Sequence, residues 1–261
     1  MHIVVLAKAV PNTAGDERLD PSFRLDRAWV DPIINPNDEH ALEVALRLAE
    51  TMPGVETTML TMGPAGSWTG LSKAIAAGVG KAVLVSDDAL ENACALSTAR
   101  VLAAALGTMD ADLVIAGLDS SDGRAGVIAP AVATLLGLPF ISHASELTVR
   151  DGTVEVKRLR DDGHERLEVA LPALVTVTQA VGEFRYPTLR GIMAARSRTP
   201  QALGLADLGL SPDLVGGASA TTAVVDVAPA SERPPTRVLT GDPATVARDV
   251  VDFLAERRFI A

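Results

Sequence analysis

Apolar residues in the first half of the chain alternate between two patterns. Short runs rich in Val, Ile, Leu and Met at residues 2–7, 55–62, 81–85 and 112–116 predict strands. Between them, residues 38–52, 67–77, 92–105 and 124–136 carry apolar positions at helical spacing. In the first of these helices Ala41, Leu42, Ala45, Leu48, Ala49 and Met52 share one face. Asn35 followed by Pro36 reads as an N-cap and a first-turn proline, and Asp38 and Glu39 suit the positive end of the helix dipole. This order predicts an α/β fold, a mainly parallel sheet with helices on both faces joined by right-handed crossovers.

After Pro139 the pattern changes. Residues 145–149, 154–158 and 166–170 alternate apolar and polar positions, with Asp151-Gly152 and Asp162-Gly163 as turns, which predicts a small antiparallel meander. Residues 171–179 return to a buried strand, and residues 182–198 read as a loop running into a short helix. From about 199 to 237 Ala, Gly, Ser, Thr and Pro dominate without periodicity, as in an extended arm; a final helix over 243–257 is started by Asp242. Ordering such an arm costs about 1–2 kcal/mol per residue in backbone entropy, so it needs something to lie on. A second subunit and the chain's own core are both open. The expected plan is an α/β domain over 1–200 followed by an arm and helix over 201–261.

Composition narrows the function. Hydrophobic residues make up 48% of the chain but aromatics only 3%, so aliphatic side chains and Ala must build the core. No apolar run reaches the ~20 residues of a membrane span, and residues 2–7 lack the flanks of a secretory leader. A protein that does not span the membrane and resides in the cytoplasm is expected. A net charge of −10 excludes the basic footprint of a nucleic-acid-binding protein. The lone Cys94, among alanines, reads as a buried structural thiol.

Catalytic signatures are missing. There is no G-x-S-x-G elbow, H-E-x-x-H site, Walker A loop or G-x-G-x-x-G fingerprint, and His2, His40, His143 and His164 lack metal-ligand spacing. Three segments are less easily explained by structure alone, and all fall at predicted strand ends or helix starts, where ligands bind in open parallel sheets. They are residues 7–13, residues 35–43 and the stretch Gly117-Leu118-Asp119-Ser120-Ser121-Asp122-Gly123-Arg124-Ala125-Gly126. Small residues and a helix start favour an approaching phosphate. Asp119, Ser120 and Ser121 are placed for a ribose or base, with Arg124 a cation nearby; a capped turn is the plain alternative.

Taken in order, these segments resemble the electron-transfer flavoprotein β-subunit family. The family's K-x-V-P-[DN] is Lys8-Ala9-Val10-Pro11-Asn12, and its N-P-x-[DC]-E helix start is Asn35-Pro36-Asn37-Asp38-Glu39. Met62-Gly63-Pro64 matches a strand ending in G-P, and the stretch from Ala76 through Ala77-Gly78-Val79-Gly80-Lys81 matches A-x-G-x-x-[KR]. The 117–130 loop keeps the spacing of G-x-Q-S-x-D-G-D-T-G-Q-V-G-P but has Arg124, Ala125 and Val127 where Asp, Thr and Gln are usual. Leu171 to Val177 matches L-P-A-[VL]-[IV]-[TS]-V, and Phe184-Arg185-Tyr186-Pro187-Thr188-Leu189 through Ile192-Met193 to Arg196 corresponds to the family's N-x-P-R-[YF]-P-[ST]-[LF]-x-x-I-M-x-A-[KR] segment.

The resemblance implies an adenine-nucleotide-α-hydrolase-like, Rossmann-like fold and an electron carrier rather than an enzyme. It implies a heterodimer with an electron-transfer flavoprotein α subunit that holds most of the redox FAD. An AMP, or a second FAD in bifurcating members, would occupy this subunit near Leu6, Lys8, Asn35, Pro36, Asn37, Asp38, Met62, Gly117, Asp119, Ser120, Asp122, Gly123, Arg124, Ala125 and Gly126. Arg185, Tyr186, Pro187, Leu189, Ile192 and Met193, in a recognition loop at about 183–198, would dock flavin dehydrogenases such as acyl-CoA dehydrogenases, with Leu189 as the anchor. Electrons would pass on to an acceptor such as a quinone oxidoreductase. From the residues alone, Leu189 and Met193 at i and i+4 equally suit packing on the core. A nucleotide-binding regulatory protein of the universal-stress type shares the fold but predicts a glycine-rich ATP loop late in the chain. An ATP-pyrophosphatase-type enzyme needs S-G-G-x-D-[ST] after the first strand. Neither motif occurs.

Overall fold

Alternation within the strands decides which helix covers which face of the sheet. In β1 (His2–Leu6), Ile3 and Val5 join one core cluster, while Val4 and Leu6 join the other. The chain continues through two short antiparallel strands, β2 (Ala9–Pro11) and β3 (Pro32–Ile34), into α1 (Pro36–Thr51) and β4 (Glu56–Met62). Next come α2 (Trp68–Ala77), β5 (Lys81–Val85), α3 (Ala95–Leu106), β6 (Leu113–Gly117) and α4 (Ile128–Leu136). Helices α1 and α2 pack on the Ile3/Val5 face, through residues such as Leu42 and Leu71. Helices α3 and α4 pack on the Val4/Leu6 face, through Leu102 and Val132. The computed structural model describes residues 1–12, 18–27, 30–228 and 235–260. Thr13, at the end of the first candidate segment, and part of the 199–237 stretch lie outside them.

The remaining strands are β7 (Phe140–Arg150), β8 (Thr153–Arg160), β9 (Gly163–Ala170), β10 (Ala173–Val177) and β11 (Gln201–Leu203). One sheet runs β11-β5-β4-β1-β6-β10-β7-β8-β9, parallel as far as β7 and antiparallel through β8 and β9. Strand β7 therefore serves two roles, and its register slips between Ala144 and Glu146, beside His143 at φ 62°. The outer strands are laced with ion pairs such as Arg166–Glu155 at 2.8 Å and Lys157–Glu146 at 2.6 Å. Charge of this kind discourages pairing of an open edge with another chain.

Helix starts differ from the sequence reading where the backbone turns left-handed. Asn92 at φ 64° delays α3 to Ala95; Arg124 at φ 46° and Gly126 at φ 61° delay α4 to Ile128. Two compact units result, Met1–Val225 and Asp226–Ala261. In the first, the low-periodicity stretch begins on the chain's own core: β11 pairs with β5, and Leu205 and Val215 are buried with the α3 cluster. In the second, Asp242 accepts the Thr245 N–H at 3.1 Å and opens α6 (Pro243–Glu256). No helix among the described residues is long and apolar enough to cross a membrane.

Candidate functional site

Strand β1 lies between β4 and β6, and the chain leaves it toward β4 but returns on the other side as β6. Such a switch point opens a crevice at the carboxyl ends of the strands. Three segments meet there. They are the end of β1 (Leu6 to Lys8), the start of α1 (Asn35 to Asp38), and the loop from Gly117 to Gly126 between β6 and α4. Met62, ending β4, reaches the same edge of the sheet, one strand over from Leu6, and is half-buried.

Asp38 fastens these segments. Its Oδ2 accepts the Lys8 N–H at 2.9 Å, and Gly117 approaches so closely that a Cβ there would lie 2.6 Å from the Asn37 carbonyl carbon and from Asp38 Oδ1. Burial pushes the Asp38 carboxyl up to about 7, against hydrogen bonds from Asn35, the Lys8 N–H and the Gly117 N–H and the attraction of the Lys8 charge.

Asn35 stands at the N-cap position with Pro36 in the first turn, but its side chain does not cap its own helix. Its Nδ2 donates to the Asp119 carbonyl at 2.8 Å, and its Oδ1 accepts the Ser121 N–H at 3.1 Å. Asn37 Nδ2 donates to the same Asp119 carbonyl at 2.9 Å. The two asparagines thus hold the 117–126 loop rather than the helix end.

The loop is further closed by its own carboxylates. Asp119 Oδ1 accepts from the Ser120 and Gly126 N–H groups at 2.8 and 2.9 Å. Asp122 is paired with Lys8 Nζ and with Arg27 Nε, each at 2.8 Å, and accepts the Gly123 N–H at 2.6 Å. Burial opposes the Asp122 charge, but the two cations hold its carboxyl down to about 2. Arg124 folds back on the loop, its Nε donating to the Ser121 carbonyl at 2.9 Å. Ala125, between Arg124 and Gly126, is exposed. Two polar features remain for a ligand. The Ser121 hydroxyl is buried without a hydrogen-bond partner, and no side chain caps α4, whose first turn offers backbone N–H groups.

The second candidate region follows β10. Thr188 caps the short α5 (Leu189–Ala195), its Oγ1 accepting the Gly191 N–H at 3.1 Å. Gly191 lies against the end of α2, so a Cβ would come 2.1 Å from the Ala76 carbonyl oxygen, and Ala195 on the same face is buried. The opposite face is apolar and bare. Tyr186 is 92% exposed, Leu189 75% and Met193 65%, with Ile192 beside them. Leu189 and Met193 do not pack on the core. Pro187 is half-buried. Arg185 turns inward instead, and its guanidinium meets both Glu43 and Glu50 of α1. Sequence reasoning passed over Glu43 and Glu50; their spacing of seven residues on one helix face, offered to a nearby arginine, is the signal that finds them.

Cys94 is half-buried at the N-cap of α3, not in the core. Burial pushes its thiol up, but N–H groups of Ser97, Thr221 and Leu96 and the Thr221 hydroxyl bring it down to about 7. His2 and His40 are bonded to the Met109 and Gly182 carbonyls, and among the described residues no group of acidic, histidine or cysteine side chains is arranged to hold a metal.

The chain is similar to known proteins over nearly its whole length. A family model described as the electron transfer flavoprotein domain matches residues 23–208. A protein of Mycobacterium leprae named electron transfer flavoprotein subunit beta is 36% identical over 265 residues, covering 99% of each chain. A protein of the same name from Thermoanaerobacterium thermosaccharolyticum is 31% identical, with all of each chain covered. The Caffeyl-CoA reductase-Etf complex subunit CarD of Acetobacterium woodii is 33% identical, also over the whole of both.

Proposed function

Because this chain belongs to the electron transfer flavoprotein β-subunit family, we propose that it works as one half of a cytoplasmic heterodimer with an α subunit, carrying electrons and catalysing no reaction of its own. Electrons enter from flavin dehydrogenases such as acyl-CoA dehydrogenases and leave to an acceptor such as a quinone oxidoreductase. The redox FAD, which supplies the electron-accepting chemistry when bound, is held mainly by the α subunit. The switch-point crevice of this chain takes an AMP, or a second FAD if the complex bifurcates.

One observation carries the reading. A bare apolar face of Leu189, Ile192 and Met193, with exposed Tyr186 just ahead of it in the chain, is presented on a helix whose other face is fixed to the body of the fold. A few large side chains around one anchor make a small hot spot, suited to brief encounters with a dehydrogenase. The nucleotide assignment is supported separately. The residues fit an adenine nucleotide in that Ser121 keeps a buried hydroxyl unpaired and the start of α4 is uncapped. Asn35, Asn37 and Asp38 hold the walls of that crevice, while Lys8 and Arg124 bring positive charge to its rim.

Co-expression with a candidate α subunit should give a yellow 1:1 complex; a stable monomer that ignores every α subunit sinks the reading. Chromatography of the supernatant after denaturation then identifies AMP or FAD, and finding neither removes the nucleotide from the proposal. In the complex, Leu189→Ala should slow electron transfer from an acyl-CoA dehydrogenase about tenfold or more with flavin content intact. Unchanged transfer removes Leu189 as the anchor.

A further inference from the structure

The segment that leaves β10 toward α5 is gripped by the outer face of α1. Arg47 Nη2 donates to the Val181 carbonyl at 2.6 Å, and His40 Nδ1 is 2.7 Å from the Gly182 carbonyl. Lys73 of α2 sits 5.2 Å from the Phe184 ring centroid and 2.7 Å from Glu39. Arg185 closes the grip. Its backbone N–H and Nε both donate to Glu43 Oε2, at 3.1 and 3.0 Å, and its Nη2 reaches Glu43 Oε1 at 3.0 Å and Glu50 Oε2 at 3.1 Å. Its Nη1 bonds Glu50 Oε1 as well. Glu43 is buried, and Arg47 pairs with it from the other side at 3.3 Å.

From this arrangement we propose that Arg185 is a positioning residue for docking. A planar guanidinium forked across two carboxylates of α1 fixes the direction in which Tyr186 leaves the body of the fold, and with it the outward face of α5. The inference rests on the docking reading above, but assigns Arg185 a different part in it from Leu189. Arg185 does not touch the dehydrogenase; it sets the angle at which the apolar face is offered. The chemistry requires arginine. A fork can satisfy two carboxylates and its own backbone turn at once, whereas an ammonium is a single point of charge. The adjacent side chains show the consequence: Arg185 is mostly covered, and Tyr186, the next residue, is 92% exposed.

The test uses the heterodimer carrying Arg185→Met, Arg185→Lys or Glu50→Gln. Two readouts are taken: amide hydrogen exchange across residues 183–196, and the KM and kcat of an acyl-CoA dehydrogenase with the heterodimer as electron acceptor. Arg185→Met should raise exchange in that segment about tenfold, and raise KM by a similar factor at unchanged kcat. Exchange in the 117–126 loop should not move. Arg185→Lys should recover part of both effects. Glu50→Gln, at an exposed carboxylate that leaves the buried pair intact, should raise KM by about twofold to threefold and keeps the test open if Arg185→Met folds poorly. Leu189→Ala is run beside them. An unchanged KM for Leu189→Ala overturns the docking reading. A raised KM for Leu189→Ala, with exchange and KM unchanged in Arg185→Met and Glu50→Gln, overturns the positioning role alone.

Discussion

Helix α1 serves two regions that are built in opposite senses. At its amino end, Asn35, Asn37 and Asp38 draw the 117–126 loop inward, and nearly every polar group there finds a partner inside the fold. On its outer face, Glu43 and Glu50 hold Arg185 so that the next large side chains point away from the fold. The first region is a polar crevice and the second an apolar prominence. A polar crevice with a few groups left to bond suits a small ligand that is kept, because burial strengthens each hydrogen bond made in it. An exposed apolar cluster suits a large partner that comes and goes. One helix can support both because its amino end and its outer face are independent surfaces.

The contrast can be broken hardest at two glycines. Gly117→Ala places a Cβ within 2.6 Å of the α1 backbone, which cannot move without opening the crevice. It should cost about 2–4 kcal/mol in urea unfolding and empty the nucleotide site. Gly191→Ala drives α5 off the Ala76 carbonyl. It should cost less, about 1–2 kcal/mol, and spare the nucleotide while weakening transfer from a dehydrogenase. If both variants lost the same property, the two regions would not be separable.

A smaller effect follows from Asp122. Asp122→Asn leaves Lys8 and Arg27 facing a neutral group, and because both cations are partly exposed it should cost about 0.5–1 kcal/mol at neutral pH. Its carboxyl lies at about 2 in the fold against an ordinary 3.8, so its contribution is present above pH 4. That contribution is lost as pH falls through about 2. Acid titration of the unfolding midpoint should therefore be shallower in the variant. Asp38 behaves in the reverse sense. Its carboxyl, raised to about 7, binds its proton more tightly in the fold, so this group's contribution is full below about 4 and lost as pH rises through 7. Asp38→Asn should flatten the stability profile between pH 4 and 7; an unchanged slope there would mean that Asp38 stays ionised in the crevice.

Much of this organisation was legible in the sequence, for identifiable reasons. The parallel sheet and its helices follow from two periodicities, and the strand ends then place residues near 7, 35 and 117 on one edge. The resemblance pointed to the segment of Leu189 and Met193, but spacing could not tell an outward face from an inward one. That depends on Gly191 and Ala195 finding the end of α2, which is a tertiary matter. Asn35 shows the same limit. Its position before Pro36 is correct for a cap, yet its side chain bonds a loop 84 residues away because the loop offers both a carbonyl and an N–H. The β2–β3 pair was missed because three residues per strand are too few for a pattern. Cys94 was misplaced because alanine neighbours suggest burial, whereas a helix start lies at the surface.

Helix α5 is fastened at both ends and in the middle, by Arg185, Thr188, Gly191 and Ala195, before β11 returns the chain to the sheet. None of these fasteners is on the outward face. The outward side chains can therefore be rewritten one at a time at little cost to folding, since exposed substitutions usually change stability by less than about 0.5 kcal/mol. Separating the mount from the displayed surface in this way makes positions 186, 189, 192 and 193 the natural place to graft a new recognition face.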